Sequence, residues 1–448
     1  MKRLSLLSIA LTSLAFATAA LAATRPHYGG TLHIAIQEAP QTFDTATSDS
    51  PGFRSLTQLV FENLVKLDDH ARPQPWLATS WQVEPGNQRW RFQVRSGVIF
   101  SDGTPLDTSG IAASLRAGNP QWKIFALGEL VMIETESADP NVAAELALPR
   151  NAIVRRANGA VFGTGPFTVA QWDSAKHVTL AANNQYWNGR PFLDSLEVDL
   201  GKAYRDQLMQ FDLGKADLVE VAPESIRTAQ AGNRNVITSA PEELLCLVFA
   251  RDPQSDAEAQ VRAALARNID TTALNNVVFQ AGGEPTGALL PNWLSGYAFI
   301  FPPGTNEARH QRVFQPISWT LAYDNTDPVS RIVAERITLN ARDIGITLQA
   351  GASGSADIRI VRIPLPSLDA EISLSMLSYA LQLPPPKLAD ASLDALYSAE
   401  SALLQTHRVI PLLHLRSAIA VRSNLHGAAL APDATWHLQN AWLGPENP

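Results

Sequence analysis

The chain has 448 residues, 46% of them hydrophobic and 17% charged, with a formal net charge of −8. That length supports a large core and at least two lobes, and the acidity gives no electrostatic reason to bind nucleic acid or an anionic membrane. A lone cysteine, Cys246, excludes an intramolecular disulfide; within Leu244-Leu-Cys-Leu-Val-Phe249 it reads as a small buried hydrophobe.

Lys2 and Arg3, an apolar run from Leu4 and then Ala20-Leu-Ala22 form the pattern of a secretory leader cleaved after residue 22. No cysteine stands near that point to take a lipid, and no later apolar run has spanning length. The expected product is exported, soluble and not a lipoprotein. Gly29-Gly-Thr-Leu-His-Ile-Ala-Ile36 predicts a turn into a strand, and the polar residues 37–50 a loop at its end, where α/β sheets present ligand contacts.

Leu56, Leu59, Val60, Leu64 and Leu67 have helical spacing and predict a helix over 55–67, closed by Pro73-Gln-Pro75. Residues 78–83 and 88–94 predict paired strands around the Pro85-Gly86 turn, with Trp90, Phe92 and Val94 inward. A short helix is expected at 109–117, then strand and helix over 131–148.

The stretch from Gly163-Thr-Gly-Pro-Phe167 to Asp194 gathers Gly163, Gly165 and Gly189 with Tyr186-Trp187 around a strand at 178–182. Gly165-Pro166 marks a turn, and residues 172–176 a hairpin connection. A structural corner beside a sheet accounts for these residues better than a ligand contact does. Further on, helices are expected at 204–215, 256–267, 329–344 and 393–404. Strands are expected at 216–219, 244–250, 318–323, 346–348, 357–363, 409–415 and 419–421. The uninterrupted apolar run 244–250 predicts a strand covered on both faces, and the strand–helix alternation after it predicts an α/β sheet.

Several of these segments, in order, resemble the extracellular solute-binding proteins of family 5, which serve oligopeptide, dipeptide and nickel ABC importers. The resemblance runs through Gly29-Gly-Thr-Leu32, Glu62-Asn-Leu-Val65, Pro75-Trp-Leu-Ala-Thr-Ser-Trp81, Arg95-Ser-Gly-Val-Ile-Phe-Ser-Asp-Gly-Thr-Pro105 and Gly163-Thr-Gly-Pro-Phe167. It continues through Tyr186-Trp-Asn-Gly189, Val261-Arg-Ala-Ala-Leu265 and Ile344-Gly-Ile346. It implies a two-lobed α/β periplasmic binding protein fold of type II with an extra subdomain in lobe I. The implied division is leader 1–22, lobe I at 23–46 and 157–248 with the subdomain at 47–156, lobe II at 249–406, and a return to lobe I over 407–448. The runs around Cys246 and at 409–415 would be the hinge crossings.

The resemblance also implies a monomeric, non-enzymatic carrier without a cofactor. It would capture a peptide-like or related small polar solute by lobe closure and deliver it to ABC permease subunits with their ATPase. In many relatives an aspartate before a proline of lobe II holds the ligand amine. Here Leu365 stands in its place within Arg362-Ile-Pro-Leu-Pro-Ser-Leu-Asp369. Arg362 at a strand end is a candidate for a two-pronged bond to a ligand carboxylate, against an ordinary surface arginine. Trp293 is a candidate for stacking on a ligand, against a lobe-surface aromatic. Gln37 and Phe43 follow the first strand and are candidates for cleft contacts, against loop packing. Arg251 follows a hinge strand, with an exposed pair to Glu243 or Asp252 as its alternative.

Catalysis has little support. The sequence has no nucleophile elbow, phosphate loop or CxxC, and His407 and His414 lack the i, i+4 spacing of helix ligands. Two other classes stay open: a metal-chelate or haem-precursor binder, and a degenerate relative acting as sensor or partner-binding protein, to which the short second lobe lends weight.

Overall fold

The computed structural model describes residues 25–44, 50–304, 317–352 and 354–445; the expected leader lies outside them. Among the described residues an 11-stranded mixed sheet runs through both lobes. Phe167–Asp173, His177–Ala182, Ser195–Asp199, Thr31–Ala35 and Leu218–Val221 belong to the first lobe. Val409–Val421 and Asn235–Phe249 cross to the second, where Ile358–Ile363, Ile317–Tyr323 and Ile346–Ala352 follow; Gly283–Pro285 pairs with Val409–Val421 as the eleventh. Helices Asp256–Asn268 and Pro328–Asp343 cover this part on one side, and Ala370–Ala380 with Leu393–Gln405 on the other.

The run 244–249 is buried on both faces, as its lack of alternation predicts. Leu245, Leu247 and Phe249 enter one core with Leu265, Ile337 and Leu412, while Leu244, Cys246 and Val248 enter another with Leu374 and Leu403. Burial pushes the Cys246 thiol up to about 12, leaving it unreactive.

The two crossing strands pair along nearly their whole lengths. Asn235 to Thr238 face Val421 to Ala418, and Leu244 to Val248 face His414 to Val409; register breaks lie at Thr238/Pro241, Pro241/Glu243 and Leu245/Cys246. Residues 409–415 and 419–421, expected as separate strands, are therefore one. The polar pair Arg416-Ser417 that interrupts the apolar pattern sits at this break: Ser417 N donates to Ser239 Oγ at 3.0 Å, and Ser417 Oγ to Glu242 Oε1 at 2.5 Å.

A second sheet, Ala78–Val83, Arg89–Val94, Leu130–Glu134 and Lys123–Leu127, packs with helix Thr108–Gly118 around Trp90, Phe92, Ile111 and Ile133. Its attachment to the first lobe corrects the expected helix over 55–67. The helix is Pro51–Gln58, capped by Ser50, whose Oγ accepts from Phe53 N. Past Gln58 the carbonyls of Leu59 and Val60 leave the helix, because Phe167 N (3.0 Å) and Gly165 N (2.9 Å) donate to them. Residues 65–67 are a strand paired with Pro73–Pro75, which does not close a helix.

One carboxylate fastens this junction. Glu62, 4% exposed, accepts from Trp76 Nε1 (2.8 Å) and Tyr186 Oη (2.8 Å) on Oε1, and from Thr164 Oγ1 (2.7 Å) and Trp187 Nε1 (3.0 Å) on Oε2. Burial raises its pKa and the four donors oppose that rise. The Gly163–Asp194 stretch thus supplies both the close backbone approach and three of the four donors. Across the opposite side, Ala144 and Leu148 of the subdomain bury against Ile372 of helix Ala370–Ala380.

Candidate functional site

A cavity of about 900 Å³ lies between the lobes, at the C-terminal ends of several strands, where open α/β sheets place their ligands. Gln37 and Glu38 follow strand Thr31–Ala35, Glu220 and Glu224 come from and after Leu218–Val221, and Tyr204 and Arg205 begin helix Tyr204–Asp212. From the second lobe come Asp324 and Asp327, after Ile317–Tyr323, and Arg362, in Ile358–Ile363. Glu243 and Ser417 on the crossing strands form the floor.

Among the described residues carboxyl groups outnumber cations in the lining: Glu38, Glu220, Glu224, Glu243, Asp324 and Asp327 stand with two guanidinium groups, Arg205 and Arg362. Glu220 Oε2 accepts from Gln37 N at 2.7 Å and from Gln207 Nε2 at 3.2 Å. Burial pushes Glu220 up to about 7, against those two bonds and with help from Glu38. A side chain at Gly52 would meet Glu220 Oε1 at 2.6 Å, so this helix turn can approach the carboxyl only as glycine. Burial also raises Glu224, whose Oε2 is shut off from solvent and has no hydrogen-bond partner among the described residues. Asp327 caps helix Pro328–Asp343, accepting from Val329 N at 2.9 Å and from Ser330 Oγ at 2.8 Å.

The five residues singled out in the sequence do not converge. Gln37 and Arg362 line the cavity. Arg362 makes its two-pronged bond within the protein, Nη2 to Glu243 Oε2 at 2.6 Å and Nε to Glu243 Oε1 at 3.0 Å, with Asp327 at 3.3 Å from Nη1. Burial pulls its pKa down, but Glu243, Tyr204 and Asp327 outweigh it and hold the guanidinium firmly charged. Phe43 is outside the cavity lining, packed in the first-lobe core against Phe53, Phe61 and Trp172. Arg251 pairs with Glu258 at 3.0 Å, not with Glu243. Trp293 is partly exposed and its Nε1 donates to Pro241 O at 2.8 Å beside the register breaks.

Leu365, expected from the sequence to replace an aspartate, is 1% exposed; its carbonyl accepts from Arg54 Nη1 at 3.4 Å. Asp369 caps helix Ala370–Ala380 instead of facing the cavity. His414 is buried against Leu289 O and pushed down to about 4 by burial, while His407 borders a separate cavity with Arg267 and Pro302. Sequence reading missed Glu220, Glu224, Asp324 and Asp327. The usable signals were a glutamate inside the apolar strand Leu218–Val221 and two aspartates directly after a parallel strand.

Glu242, next to the cavity floor, is 1% exposed. Burial first and the Glu243 charge second push it up to about 8, against bonds from Ser417 and Leu365 N. The unfolded chain releases this proton near 4.5 and the folded protein keeps it to about 8, so ionisation costs stability as pH rises through that window. Glu242→Gln is expected to remove on the order of a few kcal/mol of that fall. Urea midpoints at either end of the window check it; an equally steep fall in the variant would rule this origin out.

Residues 72–356 match the family described as bacterial extracellular solute-binding proteins, family 5 Middle. The Nickel-binding protein NikA of Staphylococcus aureus is 23% identical over 240 residues, covering 50% of this chain and 49% of its own. The Nickel-binding periplasmic protein of Escherichia coli is 23% identical over 338 residues, 64% of each chain. The chain thus spans between about half and two thirds of the length of these relatives. In structure it resembles the oligopeptide-binding protein AppA from Bacillus subtilis in complex with a nonapeptide, with a TM-score of 0.79 at 16% identity, covering 94% of this chain and 100% of that one. That likeness carries the fold. No helix among the described residues is long and apolar enough to cross a membrane. With the matched segment exceeding half its length, the chain belongs to the family 5 bacterial extracellular solute-binding proteins, a family of carriers and not of enzymes.

Proposed function

We propose that this protein is the periplasmic substrate-binding component of an ABC importer, capturing a small polar solute by lobe closure and delivering it to a permease. The observation that carries this reading is the open cleft of about 900 Å³ between two lobes that share a pair of crossing strands. Register breaks at Thr238/Pro241 and Pro241/Glu243 supply a bending point, since unpaired backbone there changes angle without breaking a regular ladder. On this reading residues 249–406 move as the second lobe. Residues 23–46, 157–248 and 407–448 form the first, with 47–156 as its inserted subdomain.

A ligand that binds only the closed form stabilises it in proportion to its concentration over its Kd. Thermal melts with pools of peptides, amines and metal chelates are expected to raise Tm for at least one pool, and scattering is expected to show a smaller radius of gyration with it. A Tm and radius insensitive to every pool would sink the capture reading.

A further inference from the structure

We propose that the lobes carry a latch of their own, Arg54 and Leu148 of the first against Leu365 and Ile372 of the second, which holds part of the population closed before any solute arrives. This rests on the lobe division proposed above and goes beyond it, since capture by closure requires no contact between empty lobes. Two contacts carry it, and the first is apolar. Ala144, Leu148 and Ile372 are buried against one another, with Leu67 and Met376 packed around them. Ile372 belongs to this cluster and not to the second-lobe core that takes Leu374 and Leu377 of the same helix. Its cover therefore comes from the other lobe, and separating the lobes returns it to water. Arg150 of the same corner pairs with Glu145 at 3.1 Å and places Nη1 3.9 Å from Met376 Sδ.

The second contact is polar. Arg54, buried on helix Pro51–Gln58, donates from Nη2 to Asp433 O at 3.0 Å within its own lobe and from Nη1 to Leu365 O at 3.4 Å across the cleft. Pro364 and Pro366 have no N–H, so Leu365 supplies the one amide hydrogen of that tripeptide. It donates to Glu242 Oε2 on the crossing strand at 3.4 Å. Both bonds are long, yet they give two buried backbone groups their partners. Leu365 also stands between two cavities: Pro364 lines the one of about 900 Å³, Pro366 lines another of about 480 Å³, and Trp436 borders both. The segment expected to meet a ligand joins the lobes instead. A solute enters only after these contacts part, so the latch slows association, while a population already closed raises affinity for whatever fits.

The test measures distances between spin labels in the full chain without solute, carried by Ser137→Cys in the subdomain and Ala391→Cys in the second lobe, both exposed positions. Cys246 is fully buried and stays unlabelled. Expected is a short-distance population in the otherwise unaltered protein. On Ile372→Ser its ratio to the long-distance population is expected to fall roughly tenfold, the loss of one large apolar contact. Arg54→Met, which removes the bond to Leu365 O and keeps a stem of similar length, is expected to act in the same direction. A single long-distance population in the otherwise unaltered protein overturns the latch, whether or not the variants fold. A folded Ile372→Ser protein with an unchanged ratio overturns it too. Either result leaves capture standing if a solute pool then shortens the distance. A short-distance population that Ile372→Ser depletes, with no pool changing distance or Tm, supports the latch and removes the capture reading alone.

Discussion

Glu62→Ala is expected to destabilise the protein by about 4 kcal/mol, the cost of leaving several buried donors without their charged acceptor. The substitution strands Trp76 Nε1, Trp187 Nε1, Tyr186 Oη and Thr164 Oγ1, which all end on this one carboxylate. It also removes the anion beside Lys66, whose ammonium sits 3.6 Å from the Trp76 ring centroid. Glu62→Gln keeps two acceptor lone pairs but points an amide toward donors, so about half the loss is expected. Because two of the donors are tryptophans, their fluorescence in a urea titration reports the junction directly. A midpoint unchanged by Glu62→Ala would show that water replaces the carboxylate without penalty.

Gly163→Ala is expected to cost at least as much, more than about 4 kcal/mol, through a different mechanism. A Cβ there would lie 1.9 Å from Val60 O, a backbone atom that cannot rotate away. Relief requires the 163–167 segment to lift from 59–60, breaking the bonds from Gly165 N to Val60 O and from Phe167 N to Leu59 O. Gly189→Ala is the matched control. Gly189 has φ +94° but open space around it, so only backbone strain of about 1 kcal/mol is expected. Comparable losses at both positions would refute close approach as the reason for Gly163.

These two residues show what could be seen before the fold was known. Gly163, Gly165, Tyr186 and Trp187 stood out as a corner because glycine and large amphipathic rings rarely cluster without a packing reason. Their partner was invisible: Glu62 lies about a hundred residues upstream, and nothing local in Glu62-Asn-Leu-Val65 says that four donors converge on it. Local patterns also located Ala78–Val83 and Arg89–Val94 around their turn, and the doubly buried run 244–249, because alternation and its absence report burial directly. They failed at 55–67, where tertiary donors captured the carbonyls that a helix needs, and at Ala370–Ala380, where an apolar, weakly amphipathic segment carries little periodicity.

The cleft followed the same division. Gln37 was legible because it follows a strand at its C-terminal end. Arg362 was legible as a strand-end cation, but its two-pronged bond to Glu243 depends on the pairing of Leu245 with Arg362, a contact between strands more than a hundred residues apart. Phe43 shares a loop with Gln37, yet its ring turns to Phe53 and Trp172. Loop position alone does not settle which way an aromatic side chain faces.

The pairing of Asn235–Phe249 with Val409–Val421 also bears on how the molecule is made. The sheet cannot be completed until Val409–Val421, its last strand in chain order among the described residues, has docked against Asn235–Phe249, so these long-range contacts form late. Until then residues 244–249 present an apolar strand paired on one edge with Ile358–Ile363 and open on the other, the kind of surface that sticks to other chains. Truncation just before residue 409 would therefore yield aggregation-prone material and not a shortened carrier.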